Sequence, residues 1–284
     1  MVISMQLKTL RNPDQPIIRD FLGVDPISNL YLLDLIDRQG IDYWGMHRWN
    51  GVFDQDAQLI SLNVDIACSL PNHPCKLSVP VGNEAGCELL GKYTASQGGS
   101  ERIMAERRPS DAFYKGLGMP KARIFYDEEL LIADSFPSEP FLPLQPAKKE
   151  QLETLIEYTA LMRVEDEGFD PRERDYDLWE KTITILIAQQ RILVHTIQDE
   201  IVFVTEIGTR AKRGAQIGSI YVPPEHRKKG LGTKGMRGVI ASLIDNSSFL
   251  TLLVHRENKA AYQCHLKAGW KYHNDFRVIE MDLF

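Results

Sequence analysis

The sequence predicts an α/β (α+β) protein of two domains, each a mixed, mostly antiparallel sheet flanked by helices. Three observations point to this class. Apolar spacing alternates between the two-residue period of strands and the longer period of helices along the whole chain. A proline-dense stretch near the middle interrupts that pattern. The order of strands and helices on its two sides is similar, which suggests two layered units of related plan.

In the first half, MQLKTL reads as an opening strand, and PIIRDFL and PISNLYLLDLIDRQG carry apolar residues at helical spacing, with Pro26 and Ser28 suiting a helix start. YWGMHRWNGVF, AQLISLNVDIACSL and KLSVPVG then alternate or cluster strand formers, separated by turn signals. EAGCELLGKYTASQG is helical, ERIMAER extended, SDAFYKGLG helical and ARIFYDEELLIA a strand. Pro137, Pro140, Pro143 and Pro146 follow, and they keep the chain extended because each lacks a backbone donor and has a fixed φ. The expected domains are therefore 1–135 and 136–284.

In the second half, FLPLQPA is expected to supply a first strand. Helices follow in KKEQLETLIEYTALMRVEDEG and RDYDLWEKTITILIAQQ, and strands in RILVHTIQ and EIVFVTEIG around an Asp199–Glu200 turn. The next strand ends at Val222, because Pro223 and Pro224 remove two ladder donors in succession. After it come His226, Arg227, Lys228, Lys229, Gly230, Leu231 and Gly232, and then a helix whose apolar face is Met236, Val239, Ile240, Leu243 and Ile244. The strand FLTLLVH, the helix NKAAYQCHLKAGW and the strand FRVIEMDLF close the chain.

A helix that opens on a cationic glycine loop is suited to an anion. Its first amides have no intrahelical partner and carry the positive end of the macrodipole, and glycine admits a phosphate close to them. Gly230, Gly232 and Gly235 satisfy the GxGxxG spacing of dinucleotide-binding units. That reading expects an acidic residue at the end of the next strand, where the chain has His255 and Arg256; an arginine there suits the 2′-phosphate of NADP, which keeps an NADP-binding domain as a rival.

The spacing RxxGxG from Arg227 to Gly232, with the later Asn258, Ala261, Gly269 and Trp270, closely resembles the GNAT superfamily of acyl-CoA N-acyltransferases. The element order of 143–284 resembles that fold. The first half repeats the order without an RxxGxG, so the whole chain looks like a tandem GNAT protein with a degenerate N-terminal copy, expected to act as a scaffold or dimerisation domain. The resemblance implies acetyl-CoA as cosubstrate, held by Tyr221, Val222, Arg227, Lys228, Lys229, Gly230, Leu231, Gly232, Thr233, Asn258 and Ala261. It also implies that the Val222 amide faces the reacting carbonyl. Where many members carry a tyrosine acid, seven residues after the helix-opening Asn258, this chain has His265; Tyr262 lies one turn earlier on the same face.

Attack on a thioester requires a neutral amine, so a base must accept a proton. Glu206 ranks first, on the strand before the loop strand, with a salt bridge to Arg210, Lys212 or Arg213 as its plain structural role. Glu165 and Glu167 lie at the end of the helix where the resemblance places the acceptor, and with Asp166 and Asp170 they form an acidic cluster suited to a cationic amine. The expected function is an N-acetyltransferase acting on a small-molecule or peptide amine. A coenzyme A sensor without turnover is the alternative.

Composition bounds the rest. With 284 residues, 43% hydrophobic and 25% charged, the chain is long enough for two modest domains. A net charge of -6 argues against a general nucleic-acid binder. No apolar run approaches the ~20 residues that span a bilayer, and a cytoplasmic protein, monomer or homodimer, is expected. Cys68, Cys75, Cys87 and Cys264 form no CxxC pair and are expected as free thiols, with no metal site.

Overall fold

The structure, a computed structural model, describes residues 5–42, 46–70 and 73–282, and of residues 68–70, 73–75 and 167 the backbone alone. The chain divides into two compact units: residues 1–130, 254–257 and 273–284 form the first, and residues 131–253 and 258–272 the second.

In the first unit, β1 (Gln6–Thr9), β2 (His47–Phe53), β3 (Leu59–Leu70) and β4 (His73–Gly82) pair antiparallel in that order, and β5 (Arg102–Glu106) runs parallel to β4. Alternation along β3 divides the core. Leu62, Val64 and Ile66 pack with Trp49 and with Ile18, Leu22, Leu32 and Leu35 of α1 (Gln15–Leu22) and α2 (Leu30–Gln39). On the other face Cys87, Leu90 and Phe113, from α3 (Glu84–Ser96) and α4 (Arg107–Gly116), meet Val52 and Ile103. β6 (Ala122–Ala133) begins in this unit. The side chains of Cys68 and Cys75, and residues 43–45 of the expected YWGMHRW strand, lie outside the described residues.

The sequence places FRVIEMDLF in the second domain. Its residues belong to the compact first unit, where Phe276–Glu280 pair antiparallel with Glu106–Arg102 and Ile279 and Met281 enter the α3/α4 core. A two-residue apolar period identifies a strand but not the sheet edge that receives it.

The second unit contains β7 (Gln145–Pro146), α5 (Leu152–Glu167), α6 (Pro171–Arg174), α7 (Tyr176–Ala188), β8 (Ile192–Ile197), β9 (Glu200–Arg210), β10 (Gly214–Tyr221), α8 (Leu231–Leu243), most of β11 (Phe249–His255) and α9 (Lys259–Lys267). β7, β8, β9 and β10 are antiparallel neighbours, and β11 is parallel to β10. Leu155, Ile156 and Met162 of α5 and Ile183 and Leu186 of α7 cover Ile192, Val194, Val204 and Tyr221 of the sheet. Each such fully buried aliphatic side chain contributes about 1.5–3 kcal/mol relative to exposure.

Local chemistry sets the boundaries. Gly168, in the left-handed region at φ 75°, ends α5; Asp170 and Asp175 cap α6 and α7 through the amides of Arg172 and Leu178. The β8–β9 turn falls on Gln198 and Asp199, both at positive φ, so Glu200 opens β9 rather than sitting in the turn. The last strand, β12 (Lys271–Met281), starts after Gly269 at φ 100°. Among the described residues no helix is long and apolar enough to cross a membrane.

Candidate functional site

The site begins with a fault in β10. Gly218 stands opposite Glu206 of β9 but Tyr221 stands opposite Val204, so β10 carries one extra residue, and Ser219 adopts φ 50° to absorb it. Pairing with β11 joins Gly214–Ile217 to Phe249–Leu252 and is not continued by Gly218–Tyr221. The end of β10 therefore presents a strand edge with no ladder partner on the side away from β9, among the described residues. The extra residue has no signature in composition.

Pro223 and Pro224 terminate this strand and lead into a 3-10 turn, Pro224–His226. Lys228 follows at φ 60° and Gly230 at φ 76°, and α8 starts at Leu231. A left-handed residue followed by helical ones turns successive N–H groups toward one concavity that suits an anion. A Cβ built on Gly230 meets nothing within 4 Å, so the loop is open at this position. Lys228 and Lys229 are exposed beside it.

The other glycines of α8 have packing roles. A Cβ on Gly235 would fall on the Phe203 ring and one on Gly238 on the Leu142 carbonyl, while one on Gly232 would lie 3.1 Å from Cys264 Sγ. Thr233 Oγ1 lies 3.4 Å from the same sulfur, which joins α8 to α9. Asn258 caps α9, its Oδ1 accepting from the Ala261 amide at 3.1 Å.

Arg227 links the loop to α5. Its Nε donates to the Val222 carbonyl at 2.8 Å, its Nη2 donates to both oxygens of Glu165 at 2.7 and 2.9 Å, and its guanidinium lies over the Tyr221 ring. Tyr221 itself is buried against Tyr158. Glu165 thus faces the loop arginine, and Glu167 ends α5 with its side chain outside the described residues.

Glu206 is half-buried on β9 and accepts a hydrogen bond from Ser219 Oγ at 3.2 Å, so its partner is the hydroxyl of the irregular strand position. Tyr262 lies half-buried on the first turns of α9. His265 is 4% exposed, and burial pushes its pKa down to about 4. The imidazole is neutral at pH 7, and an imidazolium acid for a departing thiolate is not available there. Desolvation thus disfavours the protonated form that the expected acid role of His265 needs. Burial likewise raises the pKa of the Cys264 thiol, which fits a packing role.

The dinucleotide reading loses the arginine it relies on, although β10, α8 and β11 form a parallel strand–helix–strand unit and Gly235 packs against Phe203 of β9, as the third glycine of that fingerprint does. Arg256 is held by Asp127, Glu129 and Asp275 at 3.4, 3.2 and 2.5 Å.

In the first unit the corresponding strand-to-helix junction has a different chemistry. β3 and β4 pair without a register shift, α3 starts one residue after Asn83, Asn83 Oδ1 accepts from the Gly86 amide, and Glu84 adds a negative charge to the first turn. The chain's own groups meet the helix end there.

Residues 157–270 match the acetyltransferase (GNAT) family. No curated protein matches the sequence significantly. Among solved structures, the chain is similar to an acetyltransferase of the GNAT family from Colwellia psychrerythraea, with 12% identity, TM-score 0.57, and 98% of this chain and 100% of that one covered. It is similar to a GCN5-related N-acetyltransferase from Sphaerobacter thermophilus, with 15% identity, TM-score 0.60, and 97% and 94% covered. A tandem GNAT protein from the clavulanic acid biosynthesis pathway gives 12%, 0.51, and 98% of each chain. At these identities the likeness is one of fold.

Proposed function

We propose that this chain, whose residues 157–270 are a domain of the acetyltransferase (GNAT) family and whose fold is that of GNAT proteins along its length, transfers an acetyl group from acetyl-CoA to a primary amine. The observation that carries this reading is the conjunction at the end of β10. An unpaired strand edge from Gly218 to Tyr221 adjoins a left-handed glycine that turns the first amides of α8 outward.

In this reading the amides of Leu231, Gly232 and Thr233, aided by Lys228 and Lys229, hold the pyrophosphate of coenzyme A. The amide groups of the pantetheine arm pair with the free edge of β10, as a short added strand would. The thioester carbonyl then lies by the Val222 amide, and Pro223, having no N–H, takes no part. The amine nitrogen attacks the carbonyl carbon, the developing oxyanion is met by the Val222 N–H, and collapse breaks the C–S bond. Glu206, oriented by Ser219, accepts the proton lost by the amine, directly or through water. With His265 neutral and buried, Tyr262, the other candidate on α9, protonates the thiolate. Glu165 at the end of α5 is taken up by Arg227, so a cationic amine would have to displace that arginine to meet it.

The test is release of free thiol from acetyl-CoA with a panel of amino acids, polyamines and lysine peptides. One class of amine is expected to stimulate release, and Glu206→Gln to slow it about a hundredfold or more with coenzyme A affinity retained. Binding without release for every amine would favour the second reading, a coenzyme A sensor, which the burial of His265 at the usual tyrosine position supports.

A further inference from the structure

Three side chains outside the proposed chemistry come together beside the loop. Glu200 opens β9, and Glu225 and His226 lie in the 3-10 turn that leads into Arg227. Their ligand atoms all lie within 4.8 Å of one another, and His226 Nε2 is 2.9 Å from Glu200 Oε1. Glu225 lies 25 positions after Glu200, and no regular ligand spacing exists in the sequence.

We propose that Glu200, Glu225 and His226 form a binding site for a divalent transition-metal cation, with Zn²⁺ the best match. Two carboxylate oxygens and one imidazole nitrogen form a borderline donor set: the imidazole suits Zn²⁺ over Mg²⁺ or Ca²⁺, and the lack of thiolate disfavours Cu⁺. Three protein ligands with water at the fourth position is an established arrangement for Zn²⁺. Around an ion with bonds of about 2.0–2.1 Å, tetrahedral ligand atoms lie roughly 3.3 Å apart. The His226–Glu200 separation is already near that value, and the carboxylate of the exposed Glu225 lies within 4.8 Å of both ligand atoms.

The backbones are held in advance. The Gln198–Asp199 turn and the Ile197–Glu200 pairing hold Glu200, while Pro223 and Pro224 fix two φ angles and the His226 amide donates to the Pro223 carbonyl at 2.9 Å. The site has a reason to be occupied as well. Two carboxylates and a single imidazole stand close together, next to a loop that on the proposed function binds an anion. A bound cation neutralises both and fixes the turn that carries Arg227.

The test is calorimetric titration of the tag-free, chelator-treated chain with Zn²⁺ alone. One equivalent is expected to bind with micromolar affinity, and Glu225→Gln and His226→Gln each to weaken it about tenfold or more. No stoichiometric binding, or equal binding by both variants, would overturn the proposal. Should a variant misfold, sub-stoichiometric Mn²⁺ on the wild type serves instead, and broadening of the His226 ring signals ahead of the other histidines is expected. Broadening that spares His226 would also overturn it. Coenzyme A takes no part in either titration, so failure of the metal site and failure of the acyltransferase reading are separately visible.

Discussion

Arg227 and Glu165 form a forked ion pair, with Nη2 donating to both carboxylate oxygens at 2.7 and 2.9 Å, although 62 positions separate them in the chain. The cation that the sequence assigns to the phosphate loop and the anion that it assigns to the acceptor are thus partners of each other. Both are substantially exposed, at 39% and 46%, so the pair itself adds little to stability.

The pair is expected to act on ligand affinity. Glu165→Gln removes a negative charge that competes for the arginine, and acetyl-CoA is expected to bind about threefold more tightly at low salt, with the gain fading as screening increases. Calorimetry at two ionic strengths checks this. Weaker binding by the variant would mean that Glu165 orients Arg227 instead of competing for it.

Gly235 tests the packing explanation of the helix glycines. A Cβ there falls on the Phe203 ring, so Gly235→Ala is expected to destabilise the protein by about 1–3 kcal/mol and lower the thermal midpoint, while the folded variant keeps its coenzyme A affinity. Thermal unfolding and a binding titration decide it. Loss of binding without loss of stability would return Gly235 to the phosphate site.

His265 makes the fold sensitive to acid. Its pKa is about 4 in the folded chain against an ordinary 6.5, so between these values the unfolded chain binds the additional proton. Stability from this group is present above pH 6.5 and falls as pH drops toward 4, by up to about 3 kcal/mol. Denaturant titrations at pH 7, 5.5 and 4.5 on the wild type and His265→Asn are expected to show a steeper acid loss in the wild type. Parallel curves would place the acid sensitivity elsewhere.

Much of the architecture was readable because its signals are local. Pro223 and Pro224 stop a strand wherever they occur, Gly168 ends α5, and Asn258 caps α9, so the strand, loop and helix of the candidate site follow from short stretches of sequence. What was not readable depends on partners distant in the chain. The extra residue at Ser219 exists only relative to the register of β9, and the pairing of Phe276–Glu280 with β5 depends on which sheet edge is open. The burial of His265 and the tie from Arg227 to Glu165 arise in the same way. The approach of Glu200 to Glu225 and His226 likewise follows from a hairpin returning beside a loop.

The account turns on a phosphate site at the start of α8, and the most direct measurement is calorimetric titration of acetyl-CoA into the wild type and Gly230→Glu, with NADPH as a control ligand. Gly230 has open space above it, so the substitution brings a carboxylate into the site, and its left-handed backbone adds a strain of about 1–2 kcal/mol that a thermal melt registers separately. The expected result is one equivalent of acetyl-CoA bound by the wild type, no measurable binding by a variant that still unfolds cooperatively, and no binding of NADPH by either. Equal binding of acetyl-CoA by the two proteins, or binding of NADPH alone, would contradict the assignment of this loop to coenzyme A.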